Sequence, residues 1–431
     1  MNGLQRYFNV RREEIGPITA AALYFFCILT SLMILRPTRD ALGMQRGIDE
    51  IRWLFMVTLV ATLVVNPLFS WLVSRYRRMV FITTTHAVFA LNLVLFASLL
   101  ILAPQAIGER TGQVFYVWSS VFNFFITMVF WALMADRFTL EQSKRLFGLI
   151  AVGGTAGAMA GSSLASLLAK VVGAPMLLVI AAGFLVLATI AAWMVAKLQP
   201  ELAKAKPGEV QAKAADDSTL IGGSAWEGFR AVSRSPYLLG IAAYVLILAV
   251  MVTFIYFTRL QMVDALGKDV DMRTGVFAQI DLATQVATFV LQLIVAGHLM
   301  KRIGVHITLA LLPITVALGF IGLALVGSLF ALVAFDATFR AVQRAIMRPA
   351  RETLFTVVSR EEKYKAKALI DTFGYRTGDA LGAQTEGLLG KLGMGLVGLA
   401  SAAVPLALIW AALGIWLGRS QQRIARSVQS K

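Results

Sequence analysis

Long apolar runs follow one another along almost the entire chain, separated by short polar segments. A bilayer core of ~30 Å requires about 20 apolar residues per helix, and each run approaches or exceeds that length. The pattern therefore predicts an all-α membrane protein with twelve transmembrane helices. The predicted spans are 17–35, 53–73, 79–103, 113–135, 146–169, 174–196, 237–258, 275–299, 304–327, 329–357, 368–389 and 394–418.

The composition excludes a soluble protein. Of the 431 residues, 58% are hydrophobic and 15% are charged, whereas soluble domains average ~25% charged. The first apolar run is too long for a signal peptide and is followed by Arg36 rather than a cleavage site, so the N-terminus is expected to stay attached. One cysteine, Cys27, and three histidines offer no disulfide framework or zinc site, and neither a metal nor another cofactor is expected.

The basic residues indicate how the chain crosses the membrane. The N-terminus, the even-numbered loops and the C-terminus hold 25 Lys and Arg, and the opposite loops hold 10. This positive-inside bias predicts cytoplasmic termini in the cell inner membrane. It also accounts for most of the net charge of +16 without a nucleic-acid partner. We expect the lipid bilayer and a small anionic molecule as partners, and a monomeric chain.

The two halves of the sequence resemble each other. A polar segment at 197–236 has linker composition and separates a first repeat, 1–196, from a second, 237–431. Shifting one half by 221 positions superposes two GxxxGxxxG triplets, each early in the fifth helix of its half. Parallel six-helix repeats are the architecture of the major facilitator superfamily. The aligned glycines are Gly153, Gly157 and Gly161 with Gly374, Gly378 and Gly382.

Five arginines lie inside predicted spans. The four on the tenth span point into an arc of about 80° if the helix is regular, and their equivalents in the first half are uncharged. An Arg at the bilayer centre costs ~2.5–3.5 kcal/mol on insertion scales, so this arginine stripe should face water, a partner or a substrate. Guanidinium groups suit carboxylate and phosphate oxygens. The arginines are Arg340, Arg344, Arg348 and Arg351, with Arg376 on the eleventh span.

Neutralisation by nearby acids is the alternative explanation of the stripe, and it stays open at this stage. The candidate partners on the same two spans are Asp336, Glu352, Asp371 and Asp379. Asp281 and Gln285 share a face of the eighth span and could bind an ion or the substrate. Arg36, Arg39 and Asp40 end the first span, either as interfacial anchors or as part of a charge-paired gate.

Three segments, spread along both halves, carry a recognisable pattern. They are Ile34–Asp40, residues 135–148 beginning with Ala135-Asp136-Arg137, and a segment from Arg348-Pro349-Ala350-Arg351-Glu352 through Lys363-Tyr364-Lys365 to Asp371, which matches most strongly. These segments resemble the ATP:ADP antiporter-like nucleotide transporter (NTT) family, a branch of the facilitator fold. The resemblance implies a facilitator fold and nucleotide transport, with a basic residue important for transport where Arg39 stands.

Two positions depart from the family pattern. Arg137 stands where the family has an acid, although Asp136 adjoins it, and Asp379 stands where the family has a functional Lys. An anion at a phosphate site weakens binding of a polyanion, even if Arg376 restores some charge. The resemblance therefore supports the fold and anionic transport better than it supports ATP.

The sequence favours a secondary active transporter, not an enzyme, that moves an organic anion by alternating access through a cavity between the repeats. No GxxxxGK[ST] loop is present, so the energy comes from a gradient or exchange. In this hypothesis Arg340, Arg344, Arg348, Arg376 and Arg39 bind the anion, and Arg351 with Glu352 belongs to a cytoplasmic gate. The alternatives are an exporter of drugs, peptides or lipid fragments, and a membrane-embedded enzyme acting on lipid phosphates.

Overall fold

The computed structural model describes residues 11–102, 104–199, 225–295, 298–358, 366–367 and 369–429. Every regular element in these ranges is a helix. The predicted linker at 197–236 lies largely outside them, as do residues 363–365 of the nucleotide-transporter resemblance. The helices are α1 Ile15–Gly43, α2 Ile48–Arg75, α3 Arg78–Leu102, α4 Pro104–Arg137, α5 Leu140–Leu198, α6 Ala225–Arg234, α7 Pro236–Asp264, α8 Val270–Val295, α9 His298–Val326, α10 Leu329–Val342, α11 Arg348–Thr353, α12 Tyr375–Lys391 and α13 Leu396–Gln429.

Eight helices in the described part of the chain are long and apolar enough to cross a membrane. The prediction of an all-helical, multi-pass membrane protein is therefore confirmed, and the number of twelve spans stays a prediction. The predicted spans 146–169 and 174–196 both lie in α5, on either side of Gly173, where the helix is broken by non-helical backbone angles. Gly173 has φ +77°, a conformation that side chains with a Cβ rarely adopt. Beside this break, the Asp271 carboxylate accepts a hydrogen bond from the Ala174 N–H at 2.7 Å.

The structure divides into two compact units. The first contains Met1–Lys204 with Val263–Leu282, and the second contains Ala205–Met262 with Ala283–Lys431. The first unit thus holds the start of α8 in addition to the first half of the chain. Because residues 200–224 are not described, the predicted boundary at 197–236 stays a prediction.

In the first unit, α1 packs tightly along α5, and the glycine triplet makes this possible. A Cβ on Gly153, Gly157 or Gly161 would come closer than 3.0 Å to a backbone carbonyl oxygen of α1. The Thr30 hydroxyl donates to the Gly157 carbonyl at 3.1 Å, across the same interface. Small residues at this spacing let two helix backbones approach closely, so the triplet functions as a packing face.

In the second unit, α12 packs against α7 in the same manner. A Cβ on Gly378 would meet the Leu246 carbonyl oxygen at 2.6 Å, and one on Gly382 would meet the Thr253 Cβ at 2.9 Å. Gly374 has more room, since its nearest neighbour would be an Ile370 methyl at 4.0 Å. Two of the three glycines that the repeat alignment singles out therefore make a close helix contact here.

The tenth predicted span is helical throughout but not regular. α10 is followed by a π-helical turn at Gln343–Met347, by α11, and by a 3₁₀ turn at Leu354–Val357. The Arg348 N–H bonds to the Gln343 carbonyl, five residues back. Pro349 has no N–H and its ring crowds the carbonyl four residues earlier, and a widened turn relieves that conflict. The regular helical spacing used for the arginine stripe does not hold across this turn.

Candidate functional site

A buried cluster of charged side chains joins α7 to α10 in the second unit. The Arg340 Nε donates to the Asp336 Oδ1 at 2.7 Å, and the Arg259 Nη1 lies 3.9 Å from the Asp336 Oδ2. Arg259 and Asp336 are fully buried, and Arg340 is 7% exposed. Buried charges are costly unless they are paired, so one carboxylate here serves two guanidinium groups.

A second group of arginines lies within electrostatic reach of Tyr375 at the start of α12. Arg340, Arg348 and Arg376 all interact electrostatically with the Tyr375 hydroxyl, and so does Asp379. The Arg376 Nη1 lies 3.6 Å from the Asp379 Oδ2. Three of the five arginines that the sequence predicts to bind an anion thus lie within electrostatic reach of one hydroxyl, and guanidinium groups suit carboxylate or phosphate oxygens.

Asp379, which departs from the nucleotide-transporter pattern, lies within this group. Its Oδ1 accepts a hydrogen bond from the Thr253 hydroxyl of α7 at 3.3 Å, while its Oδ2 faces Arg376. The carboxylate therefore offsets part of the positive charge around Tyr375. That Asp379 weakens binding of a polyanion at this position stays a prediction.

Arg344 lies within the π turn and is oriented towards α8. Its Nη1 donates to the Gln285 Oε1 at 3.0 Å. Gln285 is 5% exposed. A neutral amide oxygen satisfies one donor of a guanidinium group without cancelling its charge. The sequence predicts Arg344 and Gln285 as candidate ligands on two separate spans, and the structure brings them into contact.

The predicted gate residues form a network of opposite charges. The Arg351 Nη1 lies 3.2 Å from the Asp371 Oδ1, and the Arg351 Nη2 lies 3.2 Å from the Glu352 Oε1. Lys367 also pairs with Glu352. Asp371 belongs to a second π turn, Ile370–Gly374, so the network connects two irregular helical segments. Arg351 is charge-paired, and the stripe is partly neutralised at this end.

The candidate residues of the first unit are also paired. The Arg39 Nη2 lies 2.6 Å from the Asp40 Oδ1, and the Arg39 guanidinium lies over the Tyr116 ring, 4.9 Å from its centroid. The Arg36 Nε lies 3.8 Å from the Asp281 Oδ2. Asp40 and Asp281 are both fully buried. The charged residues at the end of α1 therefore form buried ion pairs and are not simply anchors at the membrane–water interface.

Three residues near these groups, Arg259, Tyr375 and Glu386, are not among the functional residues that the sequence predicts. The seventh predicted span ends at residue 258 and leaves Arg259 in a loop, whereas α7 continues to Asp264. The available signal was the apolar Leu260 and Val263, which continue the helical face beyond the predicted end. Tyr375 and Glu386 lie on α12 among glycines and polar residues, where no apolar periodicity draws attention to them.

Arg137, the other departure from the nucleotide-transporter pattern, has a structural explanation. Its Nη1 donates to the carbonyl oxygens of Ala196 at 3.4 Å and Gln199 at 3.2 Å. It therefore satisfies carbonyl groups at the C-terminus of α5, where a positive charge is favourable. The adjacent Asp136 pairs with Arg78. These contacts give both residues a role in joining helices of the first unit.

A known family model covers most of the chain. Residues 18–347 match the family model of the Major Facilitator Superfamily. The chain belongs to the Major Facilitator Superfamily. This membership confirms the predicted fold class at the level of the family and makes the chain a multi-pass membrane protein of a superfamily of secondary transporters.

A distant relative covers nearly the full length of the chain. The chain is 23% identical over 470 residues to ADP,ATP carrier protein 1 of Chlamydia trachomatis serovar D, covering 93% of this chain and 88% of the relative. This similarity confirms the resemblance to the nucleotide-transporter branch of the superfamily.

Solved structures of facilitators share the fold. One is a bacterial homologue of the human lysosomal transporter Spinster, inward-facing and unoccupied, with 14% identity, a TM-score of 0.63 and coverage of 96% of this chain and 99% of that one. Another is a point mutant of the nucleoside transporter NupG, with 13% identity, a TM-score of 0.62 and coverage of 95% and 99%. At these identities the likeness concerns the fold alone.

Proposed function

We propose that this facilitator is a secondary active transporter of an organic anion, either a nucleotide or another phosphorylated metabolite, working by alternating access. The observation that carries the proposal is that Arg340, Arg348 and Arg376 all lie near enough to the Tyr375 hydroxyl to interact with it electrostatically. The similarity to an ADP,ATP carrier supports a phosphorylated cargo. In this proposal the three guanidinium groups and Arg344 bind the anion, and Arg39 is a further ligand.

The proposal includes the arrangement in the membrane. Twelve spans form two six-helix repeats in the cytoplasmic membrane, the chain acts as a monomer, and both termini face the cytoplasm. The charge bias of the loops supports this orientation.

The orientation can be tested with a single thiol. Cys27 is the only cysteine and is buried, so Cys27→Ala gives a thiol-free background. Ser420→Cys in that background then marks α13 near its C-terminal end. We expect an impermeant maleimide to label this cysteine in inside-out vesicles and in permeabilised cells. Labelling of intact cells at the same rate would contradict the proposed orientation.

Arg348 gives the cleanest test of anion binding, because it is exposed and its removal is expected to disturb the packing least. We expect Arg348→Gln to lower uptake of the transported anion at least tenfold and to leave the thermal unfolding temperature unchanged. A loss of one charge-assisted pair, ~1.5–3 kcal/mol, is enough for this effect. Uptake of labelled nucleotides, phosphosugars and carboxylates into proteoliposomes measures it.

The matched control is Arg46→Gln, which removes an equal charge from an exposed ion pair with Glu109 in the first unit. We expect this variant to transport at the wild-type rate. If Arg348→Gln and Arg46→Gln transport equally well, the arginines around Tyr375 do not form the substrate site.

One observation favours the exporter as a second candidate function. The pairs Arg351 with Asp371 and Arg376 with Asp379 neutralise part of the stripe, as expected if its role is structural. Reversing the charge of Asp371 would then reduce the amount of folded protein and leave the selectivity of transport unchanged. For an anion transporter the same variant changes uptake of the anion more than it changes folding.

A further inference from the structure

Glu386 is a buried carboxylate that none of the proposed roles uses. It lies on α12 and is 2% exposed. Its Oε1 accepts a hydrogen bond from the Gln261 Nε2 of α7 at 2.5 Å. A buried carboxylate stays charged only where favourable interactions offset the loss of its hydration. A cation bound beside the carboxylate would add to those interactions.

A cavity of ≈ 190 Å³ adjoins this carboxylate. Gln261, Glu386, Gly390, Gly393 and Met394 are among the residues that line it. The volume exceeds that of a single water molecule several-fold, so a partly hydrated ion has room. A site that only takes up a proton has no need of such space.

The wall of the cavity includes the C-terminus of α12 and the glycine turn that follows it. The Leu392 N–H bonds to the Leu388 carbonyl at 3.0 Å, and the Gly393 N–H bonds to the Gly390 carbonyl at 3.0 Å. Gly393 has φ +71°. The carbonyl groups at a helix C-terminus carry partial negative charge, which favours a cation. In some folds of secondary transporter, the C-terminal ends of discontinuous helices coordinate the coupling ion.

We infer that the cavity beside Glu386 binds a small monovalent cation, with Na⁺ as the ion to test, and that this cation is bound during transport. A carboxylate, an amide and backbone carbonyls are hard oxygen ligands. A single carboxylate suits a monovalent ion, because Ca²⁺ sites gather more charged oxygens. The transport part of this inference rests on the proposed function, and the binding part does not.

Thermal unfolding of the purified full-length protein tests binding directly. We expect NaCl to raise the unfolding temperature relative to choline chloride at equal ionic strength, because a ligand that binds only the folded state stabilises it. Glu386→Gln should abolish the Na⁺ effect. Glu109→Gln removes an exposed acid, 65% of whose side chain is accessible, and should keep the full response.

Two outcomes would overturn the inference: no difference between NaCl and choline chloride for the wild type, or a Na⁺ effect that persists in Glu386→Gln. If Glu386→Gln does not fold, Glu386→Asp keeps the charge on a shorter side chain and should need a higher Na⁺ concentration for the same stabilisation. An unchanged concentration dependence would equally count against the site.

The transport measurement separates this inference from the proposed function. We expect an inward Na⁺ gradient to stimulate anion uptake in the wild type and not in Glu386→Gln. The Arg348→Gln protein should still be stabilised by Na⁺ while its uptake is low. Na⁺-dependent stabilisation without uptake of any tested anion would refute the proposed cargo and keep the cation site. Uptake driven equally well without Na⁺ would refute the role of the cation in transport.

Discussion

Replacing Arg340 with Gln is expected to lower the stability of the protein and reduce anion uptake at least tenfold. Asp336 is fully buried and loses its 2.7 Å partner. Removing one partner of a buried ion pair costs ~3–5 kcal/mol. Arg259 stays 3.9 Å from the other oxygen of Asp336, so we expect the lower end of that range. Thermal unfolding in detergent and proteoliposome uptake measure the two effects.

Arg340→Lys is the companion variant that separates the two roles. It keeps a cation beside Asp336, so most of the stability should return. Lysine lacks the planar fork of arginine and holds phosphate or carboxylate oxygens less specifically, so uptake should recover only in part. An Arg340→Gln protein that is as stable as the wild type and transports at its rate would show that the cluster serves neither purpose.

Gly157→Ala is expected to lower the stability of the protein strongly. The added Cβ would be placed against the Phe26 carbonyl oxygen at 2.2 Å, much closer than real Cβ contacts. The neighbouring atoms are backbone, which cannot rotate away, so α1 and α5 must separate. Overpacking of this kind costs ~1–3 kcal/mol, and the Thr30 hydrogen bond to Gly157 is disturbed as well. The unfolding temperature measures the loss.

Gly183→Ala is the matched control, since it makes the same chemical change in α5 on the other side of Gly173. A Cβ at Gly183 meets no atom within 4 Å. Alanine has the higher helix propensity, by ~1 kcal/mol, so this variant should be as stable as the wild type or more stable. If both substitutions change stability alike, close packing is not what the glycine triplet provides.

The hydrophobic pattern predicted the type of fold well, because a bilayer imposes one length and one polarity on every spanning helix. It was less accurate at helix ends. Apolar segments continue past Thr258 with Arg259 among them, and a charged residue within the last turns of a helix looks the same in sequence as one in a loop. The pattern did separate the runs on either side of Gly173 into two spans, and the non-helical backbone angles of Gly173 divide them in the structure as well.

The site could be predicted as a set of residue types and not as a geometry. Arginines in a span indicate a function because of their cost in lipid. Which acid pairs with which arginine depends on helices distant in sequence, as for Arg36 with Asp281. The π turn at Gln343–Met347 further changes the direction of every residue after it. Tyr375, with which three arginines interact electrostatically, carries no charge and gave no signal.

The contact of Asp336 with both Arg259 and Arg340 has a consequence for the unloaded carrier. Under the proposed function, this carboxylate supplies the counter-charge that a cargo supplies during the loaded half of the cycle. One carboxylate offsets one of the two positive charges of this cluster in the empty protein. Under the same proposal, the return step of the carrier therefore meets a lower electrostatic barrier than it would without Asp336.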